Sequence, residues 1–173
     1  MIINVHQDHM DLEEKKAYLL LGSNLGNRAQ YLGDAVMLIE KKVGHITAKS
    51  AIYETAAWGK TDQPGFLNMA IEVDTKLSPL DLLHEVLAIE QLLGRTRDDK
   101  WGARLIDIDV ILYGDEVISI ENKLQVPHPE MQNRRFVMQP LVEIAPSVIH
   151  PVLHQTMTAI LGELEDPLPV EKI

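Results

Sequence analysis

Cysteine is absent from all 173 residues. Disulfides, thiolate chemistry and cysteine-ligated metals are therefore excluded. Long apolar runs are missing as well: none approaches the roughly 20 residues that a membrane-spanning helix needs. Residues 1–16 carry Asp, Glu and Lys where a signal peptide has an apolar core. A cytoplasmic protein with no membrane partner is the expectation. Net positive charge is lacking too. The formal net charge of −10 argues against a duplex nucleic-acid partner, because affinity for a phosphate backbone comes from many spread cations. The length suits one ordinary domain with a single core, and no repeat, linker or second domain interrupts it. A monomer is expected.

Part of the basic charge is concentrated in one short stretch. Residues 94–114 read GRTRDDKWGARLIDIDVILYG, with Arg95, Arg97, Lys100 and Arg104 in a loop ahead of an apolar run from Leu105 to Tyr113. Only Asp107 and Asp109 break that run. Side chains alternate faces along a strand, so Ile106, Ile108 and Val110 share one face and the two carboxylates share the other. Neighbouring carboxylates need a cation nearby. The arginines of the loop could supply it, as could Mg²⁺, which favours one or two carboxylates plus substrate phosphates. Arginine grips phosphate oxygens with two parallel hydrogen bonds. A small polyanion such as a nucleoside triphosphate with Mg²⁺ fits this stretch, since a focused cationic cleft can hold one in an acidic protein. An edge strand whose wet polar face pairs with nearby arginines also fits D-x-D taken alone.

The remaining elements follow from periodicity and punctuation. Residues 1–16 lack periodicity and read as a flexible extension, its His6 and His9 included. Residues 17–21 predict a first strand, and GSNLGN at 22–27 its exit, with turn glycines and an asparagine helix cap. Leu32, Ala35, Val36, Ile39 and Val43 recur at helical spacing up to Gly44. Residues 46–55 and 66–75 predict strands separated by a Gly/Pro-punctuated loop. Ser78-Pro79-Leu80-Asp81 opens a second helix that ends at Gly94. Leu105 to Tyr113 is the fourth strand, turned by Gly114-Asp115 into a hairpin with residues 117–120. This order predicts an α+β protein with a ferredoxin-like βαββαβ two-layer fold, helices covering one face of an antiparallel sheet. A C-terminal helical extension runs from Phe136 towards Ala145, with Pro140 in its first turns or at a kink. The domain is expected over 17–163 and a loose tail over 164–173.

These motifs resemble the 6-hydroxymethyl-7,8-dihydropterin pyrophosphokinases of folate biosynthesis. The resemblance is carried by GRTRDDKWGARLIDIDVILYG and by VPHPEMQNRRF at 126–136, supported by LLLGSNLGNR at 19–28 and TDQPGFLN at 61–68. They stand in matching order from about Ala17 to Pro151. The family implies transfer of pyrophosphate from ATP, the co-substrate, to the hydroxymethyl oxygen of the pterin, with release of AMP and two Mg²⁺ ions held by Asp107 and Asp109. Arg95 and Arg104 match arginines around the reacting phosphates. Arg97, Lys100, His128 and Arg134 match further basic contacts to the nucleotide, and Leu83, Glu90, Val110 and Gln125 match positions around it. Leu83 and Val110 equally read as core. Phe66, Asn68 and Phe136 match the stacking and hydrogen-bonding groups for the pterin, and Thr55, Ala56, Ala57 and Trp58 the loop along its edge. Trp101 resembles a lid, hinged at Gly102.

The chain departs from the family at several positions. Lys100 stands where an Arg is common and loses the planar fork. Ala56, Ala57 and Ala103 replace prolines, and Pro129 replaces a Tyr seen in some relatives. A ferredoxin-like binding module for nucleotide or RNA is the second reading, against which the acidic balance and the carboxylate pair both weigh.

Overall fold

A computed structural model describes residues 13–56, 65–94 and 105–173. The elements in chain order are β1 (Lys15–Ser23), α1 (Arg28–Lys42), β2 (Gly44–Lys49), β3 (Tyr53–Thr55), β4 (Phe66–Thr75), α2 (Pro79–Leu92) and β5 (Asp107–Tyr113). They continue with β6 (Ile118–Ile120), β7 (Leu124–Val126), a 3-10 turn (Met131–Asn133), α3 (Arg135–Ile144), α4 (Met157–Gly162) and β8 (Val170–Lys172). The fold is α+β, built on an antiparallel sheet.

Local chemistry sets the helix starts. The Asn27 side chain accepts the Gln30 N–H at the head of α1. Ser78 does the same for Asp81 at the head of α2, where Pro79 loses no hydrogen bond because first-turn N–H groups have no intrahelical partner. Leu32, Ala35 and Ile39 of α1, with Leu82, Val86 and Ile89 of α2, are buried.

The sheet runs β5-β1-β4-β3-β8, with β2 also paired to β4, and each of these pairings is antiparallel. β1 lies between β4 and β5, and every residue from Ala17 to Ser23 is buried. Ala17, Leu19 and Leu21 pack with α1 and α2 on one face. Tyr18 and Leu20 pack with Met138 and Leu141 of α3 and with Met157 and Ile160 of α4 on the other. Helices thus cover both faces, which corrects the two-layer expectation. A central strand with no polar side cannot leave either face to water, since each apolar side chain left exposed forfeits about 25 cal/mol per Å².

Other boundaries also differ from expectation. β1 begins at Lys15, inside the expected extension, and runs through Gly22 to Ser23 before the chain turns. The expected strand over 46–55 is split at residues 50–52. Lys49 faces Ile71 and Tyr53 faces Asn68, so this side carries one extra residue. Ser50 fills the gap, its Oγ accepting the Ala70 N–H at 2.9 Å. β6 pairs with β7 in a separate two-stranded sheet instead of with β5. The turn after β5, in which Gly114 takes φ +53 and donates its N–H to the Lys16 carbonyl, directs the chain away. Residues 164–173, expected as a loose tail, end in β8. Val170 lies opposite Thr55, and the Ile173 N–H donates to the Ile52 carbonyl at 2.9 Å. Without it β3 would present an unpaired edge.

Glu143 of α3 fastens this corner. Its carboxylate accepts the Tyr53 hydroxyl and the Ala51 N–H, and it lies 3.5 Å from the Lys172 ammonium. Burial disfavours its charge, but the hydrogen bonds from Tyr53 and Ala51 and the charge of Lys172 together bring its carboxyl below the ordinary value. The buried Tyr53 phenol, facing the carboxylate, is pushed up to about 12. A depressed carboxyl contributes stability above its unfolded pKa and loses it as pH falls through the folded value. Glu143→Gln should therefore cost about 1–3 kcal/mol at pH 7. In urea melts the deficit should shrink in acid, below the ordinary carboxylate range; an equal deficit at both pH values would contradict this.

Candidate active site

β5 sets the geometry of the site. Ile106 precedes it, and Ile106, Ile108 and Val110 are buried in the core beneath α1 and α2. Asp107 and Asp109 therefore face the opposite side, Asp107 half-buried and Asp109 exposed. Glu90 of α2, itself buried, accepts the Ile108 N–H on Oε2 at 2.7 Å. A carboxylate thus grips the backbone between the two aspartates. Further along, Leu112 pairs with Tyr18 and Val110 with Leu19, so Ile111 is an extra residue in the ladder. Its carbonyl accepts the His128 N–H at 2.9 Å, which docks the segment after β7 against the strand.

Two clefts open on either side of the aspartates. The first has a volume of about 480 Å³ and is lined by Thr55, Ala56, Phe66, Asn68, Arg134 and Phe136 together with Asp107 and Asp109. Asn68 lies two residues after Phe66 in β4, so both side chains point to one face. Gly22 of β1 pairs with Asn68 on one side and Asp107 on the other. A Cβ there would stand 2.6 Å from Asn68 Nδ2, so the asparagine side chain lies across β1 only because residue 22 is glycine. Asn68 Nδ2 donates to the Leu21 carbonyl at 3.3 Å. Among the described residues its Oδ1 and the Thr55 hydroxyl, both buried, find no hydrogen-bond partner. Such groups are rare in folded proteins and costly unless something satisfies them, so this cleft calls for a polar-edged ligand. The Arg134 guanidinium lies 5.8 Å from the centre of the Phe136 ring. Arg28 at the start of α1 braces the same wall, donating to Glu54 of β3 at 2.6 Å and to the Gly65 carbonyl before β4 at 2.7 Å.

The second cleft, about 490 Å³, is lined by Leu83 and Glu90 of α2, by Val110, Gln125 and His128, and again by Asp107 and Asp109. The carboxylate pair is thus common to both clefts. His128 Nδ1 accepts the Glu130 N–H at 3.2 Å, which leaves the ring proton on Nε2. Burial pushes this imidazole below its ordinary value, with Arg134 adding to the shift and Asp109 and Glu130 opposing it.

The residues expected around the nucleotide and the pterin thus sort into separate clefts, except that Arg134 lines the first with Phe136 instead of the second. Trp58, Arg95, Arg97, Lys100, Trp101 and Arg104 lie outside the described residues, as do Ala57, Gly102 and Ala103. The sequence reading missed Leu20 and Gly22, which share the Asn68 cleft, and Lys123, which lines the second. Strand alternation through LLLGS was a signal for the first two. Lys123, a cation just ahead of VPHP, was a weaker one. Leu168, also in the first cleft, carried none.

The two clefts thus meet at a shared pair of carboxylates. The chain belongs to the 7,8-dihydro-6-hydroxymethylpterin-pyrophosphokinase (HPPK) family, whose sequence model matches residues 18–146. It is 47% identical over 133 residues to a 2-amino-4-hydroxy-6-hydroxymethyldihydropteridine pyrophosphokinase of Bacillus subtilis, covering 76% of this chain and 79% of that protein. To the Methylorubrum extorquens protein of the same name it is 43% identical over 159 residues, covering 91% of this chain and 98% of the relative. A solved Plasmodium falciparum HPPK-DHPS chain superposes with a TM-score of 0.72 at 19% identity, over 88% of this chain. This chain spans 44% of that longer one, and the likeness there is one of fold.

His128 should titrate below the ordinary histidine value in ¹⁵N-detected NMR. His45, whose Nδ1 lies 2.8 Å from a Glu40 carboxylate oxygen, should titrate above it. A His128 that is charged at neutral pH would contradict the assignment of its proton to Nε2.

Proposed function

We propose that the protein transfers pyrophosphate from ATP to the hydroxymethyl group of 6-hydroxymethyl-7,8-dihydropterin, giving the pterin diphosphate and AMP. The observation that carries this reading is that Asp107 and Asp109 line both clefts. The flat pterin enters the first cleft, where Phe66 and Phe136 offer aromatic faces. Asn68 and Thr55 offer the donors and acceptors that its amide-like edge needs. ATP enters the second, with Leu83 and Val110 against the base and Glu90 and Gln125 around the nucleoside. His128 donates from Nε2 to a phosphate oxygen. Arg134, placed in the first cleft but close to the carboxylates that border the second, supplies charge near the point where the substrates meet.

The chemistry is an in-line displacement at the β-phosphorus. The pterin hydroxyl oxygen gives up its proton to water and forms a bond to phosphorus, the bond to the oxygen bridging the α- and β-phosphates breaks, and AMP leaves with that oxygen. Phosphoryl transfer asks little covalent work of a protein, so positioning and charge carry most of the rate. Asp107 and Asp109 fit Mg²⁺. Among the described residues no three His, Asp or Glu side chains form a cage, and Mg²⁺ suits one or two carboxylates completed by substrate phosphate and water. When bound, the ion neutralises phosphate charge and lowers the pKa of a coordinated hydroxyl. Glu90 keeps the carboxylates in register by holding the Ile108 N–H. Arg95 and Arg104, with Arg97 and Lys100, act on the developing charge of the phosphates. Trp58 completes the pterin edge beyond Ala56, and Trp101 closes over the substrates to exclude water.

The finer architecture supports the same reading. β2 and β3 jointly occupy one strand position beside β4, so β5-β1-β4 with that outer position is the strand order of a ferredoxin-like core, to which α3 and α4 are the C-terminal extension. On the same reading the protein works as a monomer in the cytoplasm.

Asp107→Asn and Asp109→Asn should each lower kcat by on the order of a hundredfold or more, measured as pterin-dependent AMP release, with melting temperatures close to that of the parent. Chelating divalent cations should stop turnover, and Mg²⁺ should restore it. Unchanged turnover in both variants would contradict the proposal.

A further inference from the structure

We propose that residues 164–172 form a working wall of the first cleft and that Leu168 helps set its affinity for the pterin. The inference rests on reading that cleft as the pterin site. This segment lies beyond the residues 18–146 that the family model matches.

Leu168, half-buried, lines the cleft with Phe66, Asn68 and Phe136. It is fixed there by one side chain. Asp166 accepts the Leu168 N–H on Oδ1 at 3.0 Å and the Arg135 N–H on Oδ2 at 3.0 Å. Arg135 returns the contact, donating from Nε to the Asp166 carbonyl and from Nη2 to the Leu164 carbonyl, both at 3.3 Å. Arg135 is flanked by Arg134 and Phe136, which line the cleft, so the segment is tied at one end to that wall. At the other end β8 pairs with β3, setting Val170 opposite Thr55, another lining residue. Pro167 and Pro169 restrict the backbone on either side of Leu168. The segment therefore spans from the α3 wall to the β3 wall with an apolar side chain presented between them. An apolar group in that position removes water from beside a flat heterocycle and rewards its burial.

The test compares Leu168→Ala, Leu168→Met and Asp166→Ala with Asn68→Ala, measuring KM for hydroxymethyl-dihydropterin and for ATP, kcat and melting temperature. Leu168→Ala should raise the pterin KM about three- to tenfold, the loss expected for an apolar side chain partly buried by ligand. The ATP KM should stay within twofold, and kcat should fall less than twofold. Leu168→Met should recover most of the affinity, because it conserves volume. Asp166→Ala should raise the pterin KM in the same sense by releasing the segment. If Asn68→Ala raises the pterin KM and Leu168→Ala leaves it unchanged, the wall is overturned and the pterin reading stands. If neither variant affects the pterin KM, the reading of the cleft fails and the inference falls with it. If Leu168→Ala weakens ATP and pterin alike while lowering the melting temperature, the segment is structural and the inference is likewise overturned.

Discussion

The alternation of side chains along β5 is the constraint on which everything else depends. One face of the strand must enter the core beneath α1 and α2, and Ile106, Ile108 and Val110 do so. Asp107 and Asp109 have no choice but to face the other way. Slipping the register by one residue would bury both carboxylates among aliphatic side chains, at a cost of several kcal/mol for each unpaired charge. The hydrophobic effect, acting on three apolar residues, thereby aims two acids at the boundary between the clefts.

The surrounding structure holds that arrangement from several directions. β1 pairs along β5 with its one glycine, Gly22, opposite Asp107, and this lets Asn68 reach across from β4. Glu90 fixes the backbone at Ile108 from the α2 side. The extra residue at Ile111 offers a carbonyl that anchors His128. Each contact places a group belonging to one cleft in register with the carboxylates shared by both. The chain belongs to the pyrophosphokinase family, and a single strand serves both clefts, with Asp107 and Asp109 lining each.

Much of this was legible in the sequence wherever the signal was local. β4 occupies residues 66–75 as expected, and α2 starts at the Ser78-Pro79 cap. Phe66 with Asn68, and Asp107 with Asp109, share a cleft because spacing by two on a strand leaves no alternative. What could not be read depended on distant partners. Tyr18 and Leu20 signalled a second apolar face, yet only the packing of α3 and α4 shows what covers it. β6 is too short to declare its mate and pairs with β7. The last residues, broken by Pro167 and Pro169, carry no strand signal, and β8 forms because the edge of β3 is open to it. Arg134 fell into the first cleft for a similar reason, since its position follows from where α3 begins.

The most direct test of the shared carboxylates uses Mn²⁺ in place of Mg²⁺ with a non-hydrolysable ATP analogue, followed by backbone amide NMR. Paramagnetic broadening should centre on Asp107 to Asp109 and extend into both clefts, reaching Gly22 on one side and His128 on the other. It should vanish from both when the two aspartates are replaced by asparagine. Broadening centred elsewhere, or confined to one cleft, or persisting in the double variant, would contradict the account.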